Sequence, residues 1–419
     1  MKVTFVSNYI NHHQIPFCEA MYKRLSEDFC FIQTEVMEEE RVRMGWGADF
    51  TKLPWLRLFY EQEEECKRLI MDSDVVLFGG VDEEAYIVER LHAGKLTVRL
   101  SERIYKSGQW KAVSPRGLRK KYIDHTRYRK KKVYLLCYGG YVASDFHIVR
   151  AYPGKMFKWG YFPAFKEQDI DALMQKRRER REKEGKLSLL WAGRFIDWKH
   201  PEYAILAAER LKKEGYAFSL TMIGGGEMEE QLKEQAEKAG LTEEVCFPGF
   251  KKPEEVRSYM EQADIYLFTS DYKEGWGAVL NESMNSGCAV VANCAIGAVP
   301  FLVKPEKNGL IYPNKKWDIF YEKLTGILKE PDRIEELGRE AYRTISTEWN
   351  ADIAAERLVP MLTELMEGKV LFSESGILSK APVISPRRMY AHLLRQEDRK
   401  WSRKEKRNRS GGWNKKKRK

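Results

Sequence analysis

The stretch IYLFTSDYKEGWGAVLNESMNSGCAVVAN, Ile265 to Asn293, decides how this chain folds. IYLF is a short apolar run of strand character. A polar loop follows, broken by Gly275 and Gly277. A helix begins near Ala278 and stops at Gly287, and a second β-rich run, Ala289 to Ala292, comes straight after. Strand, loop, helix and strand at this spacing form a crossover between parallel strands, and such a sheet is covered by helices on both faces.

The same alternation extends in both directions. Toward the N-terminus lie strand-like runs at Leu187 to Ala192, Phe218 to Ile223 and Val245 to Phe247, with helical spacing over His200 to Glu214 and Glu227 to Ala239. The first half repeats the pattern. Lys2 to Ser7, Phe29 to Met37, Asp74 to Phe78, Leu96 to Leu100, Val133 to Cys137 and Met156 to Gly160 read as strands. Ile15 to Leu25, Trp55 to Ile70 and Glu83 to Leu91 read as helices. Between the halves, Gln168 to Lys186 is highly charged and reads as a helix or an interdomain linker. No fixed-period repeat is present, so the expected fold is α/β with two doubly wound halves, not an array.

The 419 residues suffice for two domains, and 43% hydrophobic with 12% aromatic content excludes a disordered chain. Seven scattered cysteines without CxxC spacing read as reduced thiols. The N-terminus lacks the apolar core of a signal peptide. The longest weakly polar run, Gly287 to Val303, is broken by Asn293, Gly297 and Pro300, so no membrane span is expected. The net charge of +11 is local. Arg387 to Lys419 holds fifteen Lys or Arg against three acids, and Arg116 to Lys132 holds nine against one.

In open parallel sheets, ligands bind beyond the carboxyl ends of the strands. Three loops of the second half lie there. GRFIDWKHP, Gly193 to Pro201, places Arg194 and Lys199 ahead of a helix, which suits a diphosphate or simply a solvated pair of surface bases. MIGGGEMEEQL puts Gly225 in a turn that lets backbone approach a ligand, or serves only as a tight connection. In the opening stretch, Gly275 and Gly277 expose the first amides of the helix. Glu274 lies in the loop and Glu282 inside the helix. Spaced carboxylates suit hydroxyl recognition, and the plain alternative is a helix-start acid with a surface glutamate.

Together, GRFIDWKHPEYAILAAERL, MIGGGEMEEQL, the run from VCFPGF to CAVVAN, and NGLIYP, spanning about Leu187 to Pro313, resemble the nucleotide-sugar-binding domain of retaining glycosyltransferases of family 4, glycosyl transferases group 1. That resemblance implies the GT-B fold: two Rossmann-like domains facing a central cleft, here followed by a basic C-terminal tail. It implies an acceptor-side domain over 1–165 completed by a C-terminal helix over 347–367, a linker over 166–186, a nucleotide-sugar domain over 187–346, and a disordered tail over 368–419. Glu274 would bind donor-sugar hydroxyls and Glu282 the ribose. Arg194 and Lys199 would stabilise the leaving diphosphate, and the base would rest near Phe250 and Lys251. Gly225, Gly275, Trp276, Gly277 and Ala278 complete the implied donor site. AIGAVPFLV departs from the family pattern, with Phe301 where a glutamate is common.

The resemblance places the acceptor in the first half, where its motifs are weaker. SNYINHHQIPF sets His12 and His13 at the end of the first strand, with His13 the favoured candidate. A histidine common in the family after the fourth strand is replaced by Ser101, Glu102 and Arg103. Glu102 is a candidate cleft acid and Arg103 a partner for phosphate or carboxylate. No resident cofactor and no metal are expected. Asp72-Ser-Asp74 precedes its strand, and Asp169-Ile-Asp171 lies in the linker.

Both basic segments interleave aromatics. Tyr122 and Tyr128 lie in 116–132, and Tyr390, Leu394 and Trp401 in 387–419. They suit an anionic membrane surface, with nucleic acid the less favoured partner. The expected protein is a cytoplasmic enzyme peripheral to the inner membrane face. It would pass a sugar from a nucleotide diphosphate sugar to a saccharide or lipid-linked acceptor in bacterial surface polysaccharide assembly. The alternatives are a GT-B enzyme of the nucleotide-sugar epimerase type, and a nucleic-acid or scaffold protein using the basic tail beside a decayed sugar site.

Overall fold

The computed structural model describes residues 1–39, 53–81 and 84–399. The first domain is built on a seven-stranded parallel sheet: β1 (Val3–Ser7), β2 (Phe29–Gln33), β3 (Leu56–Leu58), β4 (Val75–Gly79), β5 (Thr97–Ser101), β6 (Val133–Tyr138) and β7 (Met156–Trp159), in the order β3-β2-β1-β4-β5-β6-β7. The second sheet has β8 (Leu187–Ala192), β9 (Phe218–Ile223), β10 (Val245–Gly249), β11 (Ile265–Phe268), β12 (Ala289–Asn293) and β13 (Leu310–Tyr312), ordered β10-β9-β8-β11-β12-β13. Every pairing in both sheets is parallel. The central strands β1, β4 and β11 are buried along their whole length, as sheets covered on both faces require. Strand order reverses between β1 and β4, and again between β8 and β11, which is where such sheets open a crevice.

Two expectations fail locally. The reading of Trp55 to Ile70 as one helix is wrong. Leu56 and Leu58 pair with Phe31 and Gln33 as an edge strand, and the helix is Glu63–Asp72. The alternation of Trp55, Leu56, Arg57 and Leu58 around a pairing partner overrides helical spacing. The tail is the second correction. Beyond helix Ala351–Met366, the chain runs antiparallel along β7, with Phe157 bridging Lys380. Lys158 N donates to Ser379 O, Leu378 N to Lys158 O and Ala381 N to Met156 O, and Ile377 and Leu378 are buried. A helix over 386–399 then packs on the second domain through Leu393 and a 3.0 Å ion pair from Lys323 to Glu397. Edge pairing and these buried side chains order a segment that composition alone marks as loose. The rest of that call, 400–419, lies outside the described residues.

Two buried arginines tie the layers. Arg90 donates to the carbonyls of Ile70, Met71, Ser73, Asp74 and Leu96, and burial lowers its pKa to about 10. Arg177, on helix Ile170–Glu184, donates to the carbonyls of Met260, Glu261, Ser286 and Gly287. That charged segment is therefore a helix docked on the second domain. Helix Ala351–Met366 packs on helix Ile15–Leu25 of the first. Among the described residues, no helix is long and apolar enough to cross a membrane.

Candidate functional site

The three second-domain loops are laced together by backbone. Gly193 N donates to Ile223 O at 2.9 Å and Phe195 N to Gly225 O at 2.8 Å, which joins the first loop to the second, and Asp271 N donates to Trp198 O at 2.9 Å, which joins the first to the third. Gly224 sits at φ +139°, and a Cβ there would overlap the Gly193 carbonyl, so this turn admits only glycine. Arg194 is exposed and, among the described residues, makes no ion pair. Phe250 is exposed, and Lys251 lies 3.9 Å from Glu255.

Lys199 closes a turn over Asp197–Lys199, and its Nζ donates to Glu274 Oε2 at 2.6 Å. Ser270 Oγ donates to the same oxygen at 3.0 Å. Both protein bonds fall on Oε2, which leaves Oε1 to accept from a ligand. The turn is held in its own right, because Thr269 Oγ1 donates to Lys199 O and accepts from Trp191 Nε1.

The Trp276 side chain is 1% exposed and packs into the interdomain core. It covers Gly160, where a Cβ would overlap the indole, and Nε1 donates to Asn281 Oδ1 at 2.9 Å. Phe301 and Trp349 pack on it, with the rings of Phe301 and Trp349 stacked at 6.1 Å. Phe301, which stands where the resemblance led to a glutamate, therefore fills an aromatic cluster.

Glu282, on helix Val279–Asn285, lies beside Arg257 and Glu254. Burial raises its pKa to about 7, opposed by Arg257 and reinforced by Glu254. The Glu254 carboxylate also acts on His12 of the first domain. Burial holds His12 down to about 4. Burial, and then His12, holds His13 well below its usual value. Both imidazoles are neutral at neutral pH.

A cavity of about 860 Å³ joins the two domains. His13, Glu102, Arg103 and Tyr161 line it from the first domain, and Glu274, Trp276, Gly277 and Ala278 from the second. Glu102 leans directly on Gly275, where a Cβ would overlap its carboxylate. It accepts from Tyr161 Oη at 3.1 Å and pairs with Lys106. Arg103 lines the cavity with its guanidinium on a carboxylate of the protein itself. Its Nε and Nη2 bind the two oxygens of the fully buried Asp145, each at 3.2 Å, and its Nη2 donates to Tyr105 O. A guanidinium committed in this way holds the wall of the cavity. Arg194, Lys199, Gly225, Phe250, Lys251, Gly275 and Glu282 do not line this cavity. Among the described residues, no three His, Cys, Asp or Glu side chains converge as a metal-holding group.

Residues 174–344 match the family of glycosyl transferases group 1. That stretch of the second half is similar to glycosyl transferases group 1. The amylovoran biosynthesis glycosyltransferase AmsK of Erwinia amylovora is 30% identical over 43% of this chain. The colanic acid biosynthesis glycosyltransferase WcaL of Escherichia coli is 27% identical over a similar share. The match spans 45% of the length of each relative. Among solved structures, Anabaena HepE in complex with UDP superposes with a TM-score of 0.65 at 15% identity, over 87% of this chain and all of that one. Sucrose-phosphate synthase of Thermosynechococcus elongatus gives 0.60 at 13%, over 88% of this chain and all of that one. Both likenesses concern the fold, which is GT-B.

Outside residues 174–344, sequence reading missed most of the cavity wall. Arg99 donates to His125 Nδ1 at 2.7 Å, to Tyr152 Oη and to Asp124 O, and pairs with Glu84. Burial, with Arg99 adding to it, keeps His125 neutral. Arg99 had left a signal, since it is a charge inside the apolar strand LTVRL. Lys106 had one too, four residues after Glu102. Tyr161 and Tyr138, stacked at 4.6 Å, had none.

Proposed function

We propose that the protein is a glycosyltransferase that passes a sugar, with retention, from a nucleotide diphosphate sugar to a saccharide or lipid-linked acceptor in bacterial surface polysaccharide assembly. It works at the cytoplasmic face of the inner membrane. The observation that carries this reading is Glu274, braced through Oε2 by Lys199 and Ser270 and presented to a cavity whose opposite wall belongs to the other domain. The names of the relatives and the nucleotide held by the structural neighbour point the same way.

In this reading the donor lies along the group 1 domain. Glu282 accepts from the ribose hydroxyls, the base rests by Phe250 and Lys251, and Glu274 Oε1 accepts from sugar hydroxyls. Arg194 and Lys199 answer the growing charge on the departing diphosphate, so the reaction runs without a metal. Catalysis rests on positioning and on that charge stabilisation, with attack on the face from which the diphosphate leaves. Glu102 faces the acceptor.

A thermal-shift panel of UDP-, GDP- and ADP-sugars tests the reading. At least one is expected to raise Tm, and no shift with any of them would overturn it. Glu282→Ala is expected to weaken nucleotide binding. Glu274→Ala is expected to spare nucleotide binding and reduce turnover. Equal loss of nucleotide affinity in both would contradict the assigned roles.

Glu282 also predicts a pH dependence. Its raised pKa leaves the carboxyl protonated below about 7, and a protonated carboxyl accepts from fewer hydroxyls. Nucleotide-sugar affinity is therefore expected to rise as pH climbs through about 7, and to flatten in Glu282→Gln. The donor's diphosphate diester does not titrate there, so the slope belongs to the protein. Stability runs the other way. The folded state keeps a proton that the unfolded chain has released, so this group's contribution falls as pH rises from the ordinary carboxyl range through about 7. Calorimetric titrations on either side of neutrality check the first, and denaturation midpoints the second.

A further inference from the structure

The short helix Gln109–Val113 and helix Pro115–Asp124 form a ledge on the first domain. No side chain of Pro115–Asp124 is buried. The ledge shows large apolar groups to solvent: Trp110 is 71% exposed, Val113 80%, Tyr122 58%, Ile123 40% and Leu118 39%. A folded domain rarely leaves so many together without a partner surface. Around them, Gln109 to Lys132 carries ten Lys or Arg against the single acid Asp124. Among the described residues, Arg116, Arg119, Lys120, Arg127, Arg129 and Lys130 enter no ion pair, so this charge is not spent within the protein.

The inner side of the ledge belongs to the cavity. Lys120, Lys121, Asp124 and His125 line it, together with Glu102 and Glu274. One helix thus carries an apolar, cationic outer face and part of the cavity wall.

We infer that this ledge, Gln109 to Asp124 with the bases that follow it, seats the protein on an anionic lipid bilayer. The cavity then opens beside Lys120 and Lys121 onto the headgroup plane. The acceptor is an amphiphile anchored in that bilayer, with its anionic group at these lysines and its sugar end directed toward Glu102 and Glu274. The acceptor part of this inference rests on the function proposed above; the bilayer contact does not. Exposed Val113, Leu118 and Ile123 select a bilayer over nucleic acid, because aliphatic side chains gain from the acyl boundary and offer a base no stacking face. The structure also separates the ledge from the other basic segment. The helix over 386–399 spends Leu393 and Glu397 on the second domain, whereas the ledge spends none of its large apolar groups.

Cosedimentation of the full-length protein with vesicles of mixed phosphatidylcholine and phosphatidylglycerol tests this, with pure phosphatidylcholine as the control. Binding to the anionic vesicles and little to the neutral ones is expected. Trp110→Ser with Val113→Ser is expected to lower partitioning roughly tenfold or more, since both side chains lose apolar area to bury. Arg116→Glu with Arg119→Glu is expected to do the same at low salt. All four positions are exposed, so the fold is retained, and an unchanged nucleotide-sugar thermal shift verifies that. A full-length variant with Lys415, Lys416 and Lys417 changed to Glu is expected to bind like the parent. Unchanged binding in both ledge variants, or loss confined to the tail variant, would overturn the inference. So would a preference for single-stranded RNA over vesicles that the ledge variants abolish. If vesicles bind through the ledge and no nucleotide sugar shifts Tm, the enzyme reading fails and the surface stands.

Discussion

Lys199→Ala is expected to lower turnover by roughly two to three orders of magnitude, the usual cost of removing one preorganised group aimed at developing charge. The protein should stay folded, because the turn around Lys199 is held by Thr269 and Trp191 as well. Two losses combine. The departing diphosphate loses a cation, and Glu274, only 13% exposed, loses the ammonium that fixes Oε2. Nucleotide affinity should fall less than turnover, since the contacts assigned to base and ribose lie at Phe250, Lys251 and Glu282. Side chains 2.6 Å apart act as a unit. Lys199→Ala with Glu274→Ala should therefore cost little more than the worse single variant. Strict additivity in a double-mutant cycle of kcat/KM would show that the two work separately. The assay uses whichever donor the thermal-shift panel selects.

Legibility followed the physics of each region. The βαβ alternation announced both sheets, because strands buried on two faces must be apolar and their helices amphipathic. The loops proposed to hold the donor were as easily picked out. Their glycines, cations and acids fall within short stretches, where spacing along the chain is nearly spacing in space. The first-domain wall was not. Arg103 was read as a partner for phosphate or carboxylate, but which carboxylate could not be read, because Asp145 is supplied by a helix forty-two residues later. Trp276 sat inside a binding motif, yet its indole belongs to a core made with Gly160, Phe301 and Trp349, contacts that only the docked domains create. The C-terminal segment misled in the opposite sense. Its composition is that of a loose tail, but a free edge on β7 and an acid-seeking Lys323 give 369–399 places to dock. Tertiary partners far along the chain decided each of these cases.

Asp145→Ala should be the most destabilising single change to the first domain. Asp145 is fully buried and accepts from Arg103 Nε and Nη2, from Tyr105 N at 3.0 Å and from Gln109 Nε2 at 2.8 Å. Removing it strands a buried guanidinium, a loss of about 3–5 kcal/mol. Urea denaturation should show it as a lower midpoint, with donor binding by the second domain preserved below the transition. The damage should also be directional. Tyr105 and Gln109 dock on this carboxylate, and Gln109 opens the segment that presents Trp110 and Val113, so vesicle binding should weaken before the protein unfolds. Arg103→Met with Asp145→Leu separates two explanations. If the cost is the stranded charge, the apolar pair should recover most of the stability, because replacing both members of a buried ion pair is often neutral. It should recover less of the vesicle binding, because neither new side chain can hold Tyr105 N and Gln109 Nε2. Recovery of both together would mean that the ledge is positioned by packing alone. Recovery of neither would mean that the pair itself specifies how Ile104 to Val113 lies on the sheet.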